Sequence, residues 1–274
     1  MKQPISLVLS SGGARGLAHI GAIEELESNG YEIHAVAGCS MGALIGGLYA
    51  TGHLGEVTEW FRSLSLQEMM KLVDISLRSD ALVKGEKIIR RLKEIVPDRN
   101  IEDLPIPFRC VATDFHHGRQ VVFDHGSLYD AIRASISIPM IFYPVKYRDT
   151  ELVDGGLLNP LPIDLAERHY GDKLVVVNVS AINESGEDGE LLAPRRNQGK
   201  IEKMIAEKWS SSSNMLSMML QTSNLMIQQN TALTLRCYAP DILVNLPMNR
   251  LSDFDYDRAT ELIELGREAM HNAL

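Results

Sequence analysis

The chain is short of positive charge. Its 274 residues carry 27 Lys and Arg against 36 Asp and Glu, a formal net charge of −9. Nucleic-acid binding draws on clustered Lys and Arg that displace counterions, so this balance excludes nucleic acid as the expected partner. It leaves a membrane surface open, because a local patch can act against the overall sign. Cysteine is also scarce: Cys39, Cys110 and Cys237 are odd in number and far apart, which excludes a disulfide framework. There is no Cys-x-x-Cys or His-x-x-x-His pair, so the spacing suggests neither a metal site nor a cofactor. No run approaches the roughly 20 apolar residues of a membrane helix, and Met1–Ser10 is too short and too polar for a signal peptide. The expected location is therefore the cytoplasm, with peripheral membrane contact left open. Internal repeats and low-complexity tracts are absent.

What is present suffices for a sizeable core, since 45% of the residues are apolar. Ile5–Leu9 reads as a strand ending in glycines. Leu17, Ile20, Ile23 and Leu26 then mark a helix stopped at Asn29-Gly30. Ile33–Ala37 reads as a second strand, followed by a glycine-bearing turn and an apolar helix to about Thr51. This alternation implies a parallel sheet covered by helices on both faces. Residues 57–96 read as mostly helical, placed as a cap over the site. Strands are expected at Phe108–Thr113, Gln120–Phe123, Tyr143–Tyr147, Glu151–Val153, Leu174–Val179 and Asp241–Leu246. Helices are expected at Ser127–Ser135, Ile201–Thr231 and Phe254–Asn272, and Asn183–Lys200 reads as a mobile loop. The expectation is a single α/β domain over residues 1–274, with its core at about 5–180 and a helical C-terminal part at about 200–274.

Three segments could carry chemistry. Gly38-Cys39-Ser40-Met41-Gly42 is a Gly-x-Ser-x-Gly match between a strand and a helix. In that context the turn is sharp, the glycines relieve Cβ clashes, and the serine hydroxyl is held out at a helix N-terminus. Ser11-Gly12-Gly13-Ala14-Arg15-Gly16 follows the first strand. Its backbone N–H groups could converge on an anion such as a tetrahedral oxyanion. A dinucleotide loop is the rival, but it wants an acid at the end of the second strand, where this chain has Gly38-Cys39-Ser40. Arg15 has two readings, a ligand for substrate phosphate or a plain salt bridge. Asp154-Gly155-Gly156 places an acid at a strand end and lets another loop approach closely; taken alone it reads as a plain Asp-Gly turn. Of the eight histidines only His169 and His271 follow Asp154, and neither sits in a Gly-bearing loop after a strand. A Ser-Asp pair therefore fits better than a triad.

Together these segments resemble the patatin-like phospholipase family, above all its bacterial members and the catalytic domain of neuropathy target esterase. The resemblance extends through Leu17-Ala18-His19-Ile20-Gly21, Arg133-Ala134-Ser135 with Pro139, and Asp154-Gly155-Gly156-Leu157-Leu158-Asn159-Pro160. It departs at Ser11, where the family loop commonly has a first glycine. The resemblance implies a three-layer α/β/α fold with a central, mostly parallel sheet. It implies Ser40 as nucleophile and Asp154 as general base, with the N–H groups of Gly12, Gly13 and Ala14 as oxyanion hole and no metal. The substrate it implies is a fatty-acyl ester of a phospholipid or lysophospholipid. The alternatives are an esterase or thioesterase on small soluble acyl groups, and a non-catalytic scaffold that regulates a partner protein. Oligomeric state is not legible. Met204, Met215, Met218, Met219 and Met226 cluster in one helical stretch. They suit a core or subunit contact, or else an acyl-chain channel or membrane-facing lip.

Overall fold

The computed structural model describes residues 2–65, 67, 68, 72, 84–181, 213–248 and 255–274. Much of the expected 57–96 cap, the Asn183–Lys200 loop and the start of the following helix with Met204 lie outside these residues. The chain starts with β1 (Gln3–Leu9), whose last five residues are all buried, as a strand inside a parallel sheet must be. A short 3-10 turn (Gly13–Leu17) leads into α1 (Ala18–Ser28). Then come β2 (Tyr31–Cys39), α2 (Met41–Ala50), α3 (Leu54–Ser63) and α4 (Glu86–Ile95). The middle of the chain supplies β3 (Phe108–Asp114), β4 (Arg119–Phe123), α5 (Leu128–Ser135), β5 (Val145–Tyr147) and β6 (Thr150–Asp154). The last part supplies β7 (Lys173–Ala181), α6 (Ser213–Cys237), β8 (Ile242–Pro247) and α7 (Ala259–His271).

The strands form one eight-stranded sheet in the order β5-β6-β3-β2-β1-β7-β8, with β4 also paired to β3. The run β3-β2-β1-β7-β8 is parallel, and β4, β5 and β6 are antiparallel additions at the β3 side. The main core packs β1, β2 and β7 under α1, α2, α5 and α7, and a smaller cluster around Val8, Leu161, Leu174 and Val176 fills the other face. This is the layered α/β arrangement implied by the alternating strands and helices. Helix α7 returns to lie against α1 at backbone distance: a Cβ on Gly266 or Gly21 would run into the main chain of the opposite helix.

Element boundaries differ from the sequence expectation in instructive places. β2 runs on through Gly38 and Cys39, although glycine weakens a strand interior. It is required there because a Cβ on Gly38 would stand 2.4 Å from the carbonyl oxygen of Gly42. β5 begins at Val145 instead of Tyr143, after Pro144, which has no N–H for the ladder. Helix α6 continues to Cys237, beyond the expected end at Thr231, and stops before Pro240.

β3 has one feature that governs the site. Its residues 110–114 pair with β4 along one edge. β2 and β6 must then share the other edge: Cys39 is opposite Val111, and Asp154 is opposite Ala112. β2 runs parallel to β3 and β6 antiparallel, so the two strands end head to head at adjacent positions of the same partner.

Candidate active site

Ser40 is the first residue after β2 and Asp154 is the last of β6, so the head-to-head ends bring them together. Ser40 Oγ donates to Asp154 Oδ2 at 2.5 Å. The other carboxylate oxygen, Oδ1, accepts from the Gly156 N–H at 2.7 Å. The Asp154 N–H in turn donates to the Ser137 carbonyl at 2.9 Å. Among the described residues no histidine ring reaches this carboxylate. His169 and His271 lie elsewhere, paired with Asp172 and Glu25 respectively.

The serine is held in a costly conformation. It precedes the first turn of α2 with φ 53° and ψ −121°, a region that residues with a side chain rarely occupy. Three contacts keep it there. A Cβ on Gly42 would stand 2.3 Å from the Leu9 carbonyl oxygen, so α2 begins directly against the end of β1. Gly38 and Gly42 approach each other at similar range. The Ser40 N–H donates to Ser135 Oγ at 2.9 Å, and that hydroxyl donates onward to the Val111 carbonyl at 2.7 Å. Ser135 belongs to the Arg133-Ala134-Ser135 segment, but nothing in its sequence signals that it pins the serine turn to β3.

The pair is dry. Ser40 is 3% exposed and Asp154 5%. Burial disfavours the carboxylate and raises the Asp154 pKa to about 7, against the lowering effect of the hydrogen bonds from Ser40 and Gly156. The free Cys39 thiol is pushed up by burial and by its neighbour Asp154, so it is inert.

The glycine-rich loop adjoins the two segments that carry this pair. Ser11 donates its N–H to the Pro160 carbonyl at 2.8 Å, and its own carbonyl accepts from Ser180 Oγ at 2.8 Å. A Cβ on Gly156 would stand 3.2 Å from Ser11 Oγ, which places the loop against the Asp-Gly-Gly segment. At Gly12 a Cβ would meet Val179 Cγ2 at 2.4 Å, and Gly13 sits at φ 54°, so both positions need glycine. Gly13 and Ala14 open a 3-10 turn, where N–H groups have no carbonyl a turn earlier to bond. Arg15 is buried, and its Nε donates to the Val179 carbonyl at 3.2 Å. His19, fully buried behind the loop, has its Nε2 at 2.9 Å from the Ser10 carbonyl, and burial lowers its pKa to about 4. The ring is neutral and donates that bond.

Apolar side chains are exposed at this end of the sheet. Leu158 follows Gly156 and Leu157, and Phe115 follows β3; both are exposed. Asn230 of α6 donates to the Leu157 carbonyl at 2.9 Å, which ties α6 to the Asp-Gly-Gly segment. Met218, Met219 and Met226 on α6 are exposed together with Leu225 and Leu233, so these methionines are not core.

The family model for patatin-like phospholipases matches residues 7–167. An uncharacterised NTE family protein of Mycobacterium tuberculosis is 45% identical over 159 residues, 58% of this chain and 44% of that protein. Human patatin-like phospholipase domain-containing protein 6 is 32% identical over 188 residues, 66% of this chain and 14% of that protein. A lysophospholipase NTE1 of Cryptococcus neoformans is 32% identical over 187 residues, 67% of this chain and 12% of that protein. The chain thus spans less than half the length of these curated relatives. Among solved structures, VipD from Legionella pneumophila aligns with a TM-score of 0.49 at 14% identity, covering 99% of this chain and 67% of that one. By the family match over residues 7–167, which contains the serine turn, the glycine loop and the Asp-Gly-Gly segment, this chain belongs to the patatin-like phospholipase family.

Proposed function

We propose that the protein is a serine acyl hydrolase that cleaves fatty-acyl esters of phospholipids or lysophospholipids through a Ser40–Asp154 dyad. The observation that carries this reading is the 2.5 Å hydrogen bond from Ser40 Oγ to a carboxylate that burial has made basic enough to accept its proton. An ordinary Asp, with a pKa of about 3.9, is a poor base for a serine hydroxyl. One raised to about 7 is matched to work near neutral pH.

In this mechanism Ser40 Oγ attacks the ester carbonyl carbon as its proton passes to Asp154. The N–H groups of Gly12, Gly13 and Ala14 receive the oxyanion, each donor being worth about 3–4 kcal/mol in comparable sites. Collapse of the tetrahedral intermediate breaks the bond to the alcohol, which leaves with the proton from Asp154. Water then gives a proton to Asp154 and attacks the acyl-serine, and fatty acid departs as Ser40 regains its hydrogen. Asp154 thus acts as base and acid in turn, without an imidazole.

A lipid substrate is favoured over a small soluble ester by the exposed apolar residues at the site end, Phe115 and Leu158, and by those of α6. The same surface supports peripheral contact with a lipid interface. No described helix is long and apolar enough to cross a membrane. The test is release of free fatty acid from phospholipids, lysophospholipids and short p-nitrophenyl esters by wild type and Ser40→Ala. The expected result is hydrolysis of a lipid that vanishes in the variant. Hydrolysis of short esters alone would move the substrate to small acyl groups, and silence across the panel from folded protein would favour a regulatory scaffold.

A further inference from the structure

We propose that His34, His169 and Asp172 form a binding site for one divalent transition-metal ion of the zinc type, at the end of the sheet opposite Ser40. His34 is distant in sequence from His169 and Asp172, which are three residues apart, so no spacing pattern announces the set. β7 lies beside β1, and β1 beside β2, which places Asp172, just before β7, across β1 from His34 on β2. Between them stands Ser6, whose small side chain leaves room; its Oγ donates to the Glu167 carbonyl at 2.6 Å and stands 3.3 Å from Asp172 Oδ2.

A β-bulge aims the first ligand. Ile5 pairs with Ile33 and Ser6 with Ala35, so His34 is an extra residue in β2 with no partner on β1. Bulges between parallel strands are rare, and bulges often serve to re-aim a side chain. Here the bulge turns His34 towards Asp172.

The distances are compatible with a shared metal ion. His34 Nδ1 stands 3.3 Å from Asp172 Oδ1, and His169 Nδ1 stands 3.4 Å from Asp172 Oδ2. Charge-assisted N–H···O bonds are shorter, at about 2.7–2.9 Å. Ligands held about 2.0–2.1 Å from a tetrahedral ion stand roughly 3.3–3.4 Å apart. One donor atom from each of the three residues lies within 4.8 Å of the others.

The surroundings match as well. Each imidazole turns Nδ1 to Asp172 and Nε2 towards a glutamate: His34 Nε2 lies 4.0 Å from Glu32 Oε2, and His169 Nε2 lies 3.8 Å from Glu167 Oε1. At these distances the glutamates do not hydrogen-bond the rings, but a small side-chain rotation would give the carboxylate-behind-imidazole arrangement that orients metal-bound histidines. The Asp172 carboxylate is almost wholly buried, while the two rings are 39% and 55% exposed, so an ion has a fixed anionic anchor and an open path from solvent. The cations nearby are already engaged: Arg109 bonds Glu167 at 3.0 Å, and Arg168 bonds the Asp172 carbonyl at 3.1 Å. Two imidazoles and one carboxylate suit zinc and its neighbours over magnesium or calcium, and leave water at the remaining positions.

The experiment is zinc titration by calorimetry, with melting temperature recorded in zinc and in EDTA, for wild type, His34→Gln, His169→Asn and Glu167→Gln. His125→Gln controls for zinc taken up by surface histidines. The expected result is one zinc per chain and a higher melting temperature in zinc for wild type and His125→Gln. Binding and the zinc-dependent rise should be lost in His34→Gln and His169→Asn, and binding should weaken about 10- to 100-fold in Glu167→Gln. Equal melting temperatures in EDTA for wild type and His169→Asn, whose ring is half exposed, keep loss of metal separate from loss of fold. No zinc binding by wild type overturns the proposal. So does unchanged binding in both His34→Gln and His169→Asn.

Discussion

The two ends of β2 carry polar clusters built on opposite terms. At the C-terminal end, Ser40 and Asp154 are sealed from water and in contact, and the carboxyl pKa is raised. About 20 Å away along the strand, at ~3.3 Å per residue, His34 and His169 open to solvent around an Asp172 whose carboxyl is held low. Both clusters contain a nearly buried aspartate, so burial alone does not decide the outcome. What differs is the company. Asp154 has a neutral hydroxyl and one N–H, while Asp172 has two imidazoles, an N–H and a hydroxyl. Few donors leave a buried carboxyl raised; several hold it low.

Asp154→Asn gives the sharpest break between the two ends. It removes the proposed base at almost constant shape and should lower hydrolysis by about 100- to 10,000-fold with the fold retained, as circular dichroism would report. Near-normal turnover would end the dyad reading. The same group sets the pH behaviour. The wild-type kcat/KM should rise with pH through about 7 and level off as Asp154 ionises. Stability runs the other way. The folded pKa lies above the ordinary 3.8, so the stabilising contribution of this carboxyl is complete below that value and is lost as pH climbs to about 7. Denaturant melts across this range should show the slope in wild type and its loss in Asp154→Asn.

Gly42→Ala comes next. The added methyl meets the Leu9 carbonyl at 2.3 Å and cannot move aside, so stability should fall by about 1–3 kcal/mol or more, with activity falling alongside. Ser135→Ala should cost about 1–3 kcal/mol by leaving the Ser40 N–H and the Val111 carbonyl unpaired. Its melting temperature and kcat should drop together. The smallest effect belongs to the open end: His169→Asn, assayed in EDTA, should leave hydrolysis within about twofold of wild type, as expected of sites more than ~10 Å apart. A large loss there would mean that the two ends of the sheet are coupled.

The serine turn and the Asp-Gly-Gly strand end could be read from the sequence because their chemistry is local. Glycines flanking a serine or following an acid are common in plain turns, but their placement at strand ends, taken together, marks this arrangement. The alternation of apolar strands with helices likewise exposes the parallel sheet. What could not be read is non-local. Nothing near Ser135 shows which carbonyl its hydroxyl will reach, and nothing near His34 marks a bulge, because the extra residue exists only relative to β1. The methionines of α6 were ambiguous for a related reason. Spacing reveals that side chains share a helix but not what lies opposite, and those described, Met218, Met219 and Met226, face outward.

The shared edge of β3 makes that strand a ruler for the reaction. Neither the serine turn nor the aspartate strand end is tied to the other by a short stretch of chain; their spacing is counted off as one step, from Val111 to Ala112. A residue inserted at that step would part Ser40 and Asp154 by about 3.3 Å while leaving both of their own strands untouched. Adjacent β3 residues also face opposite sides of the sheet, so the error would turn as well as lengthen. A change of length in the segments leading into β2 or β6 leaves that spacing intact, whereas a change in the length of β3 does not.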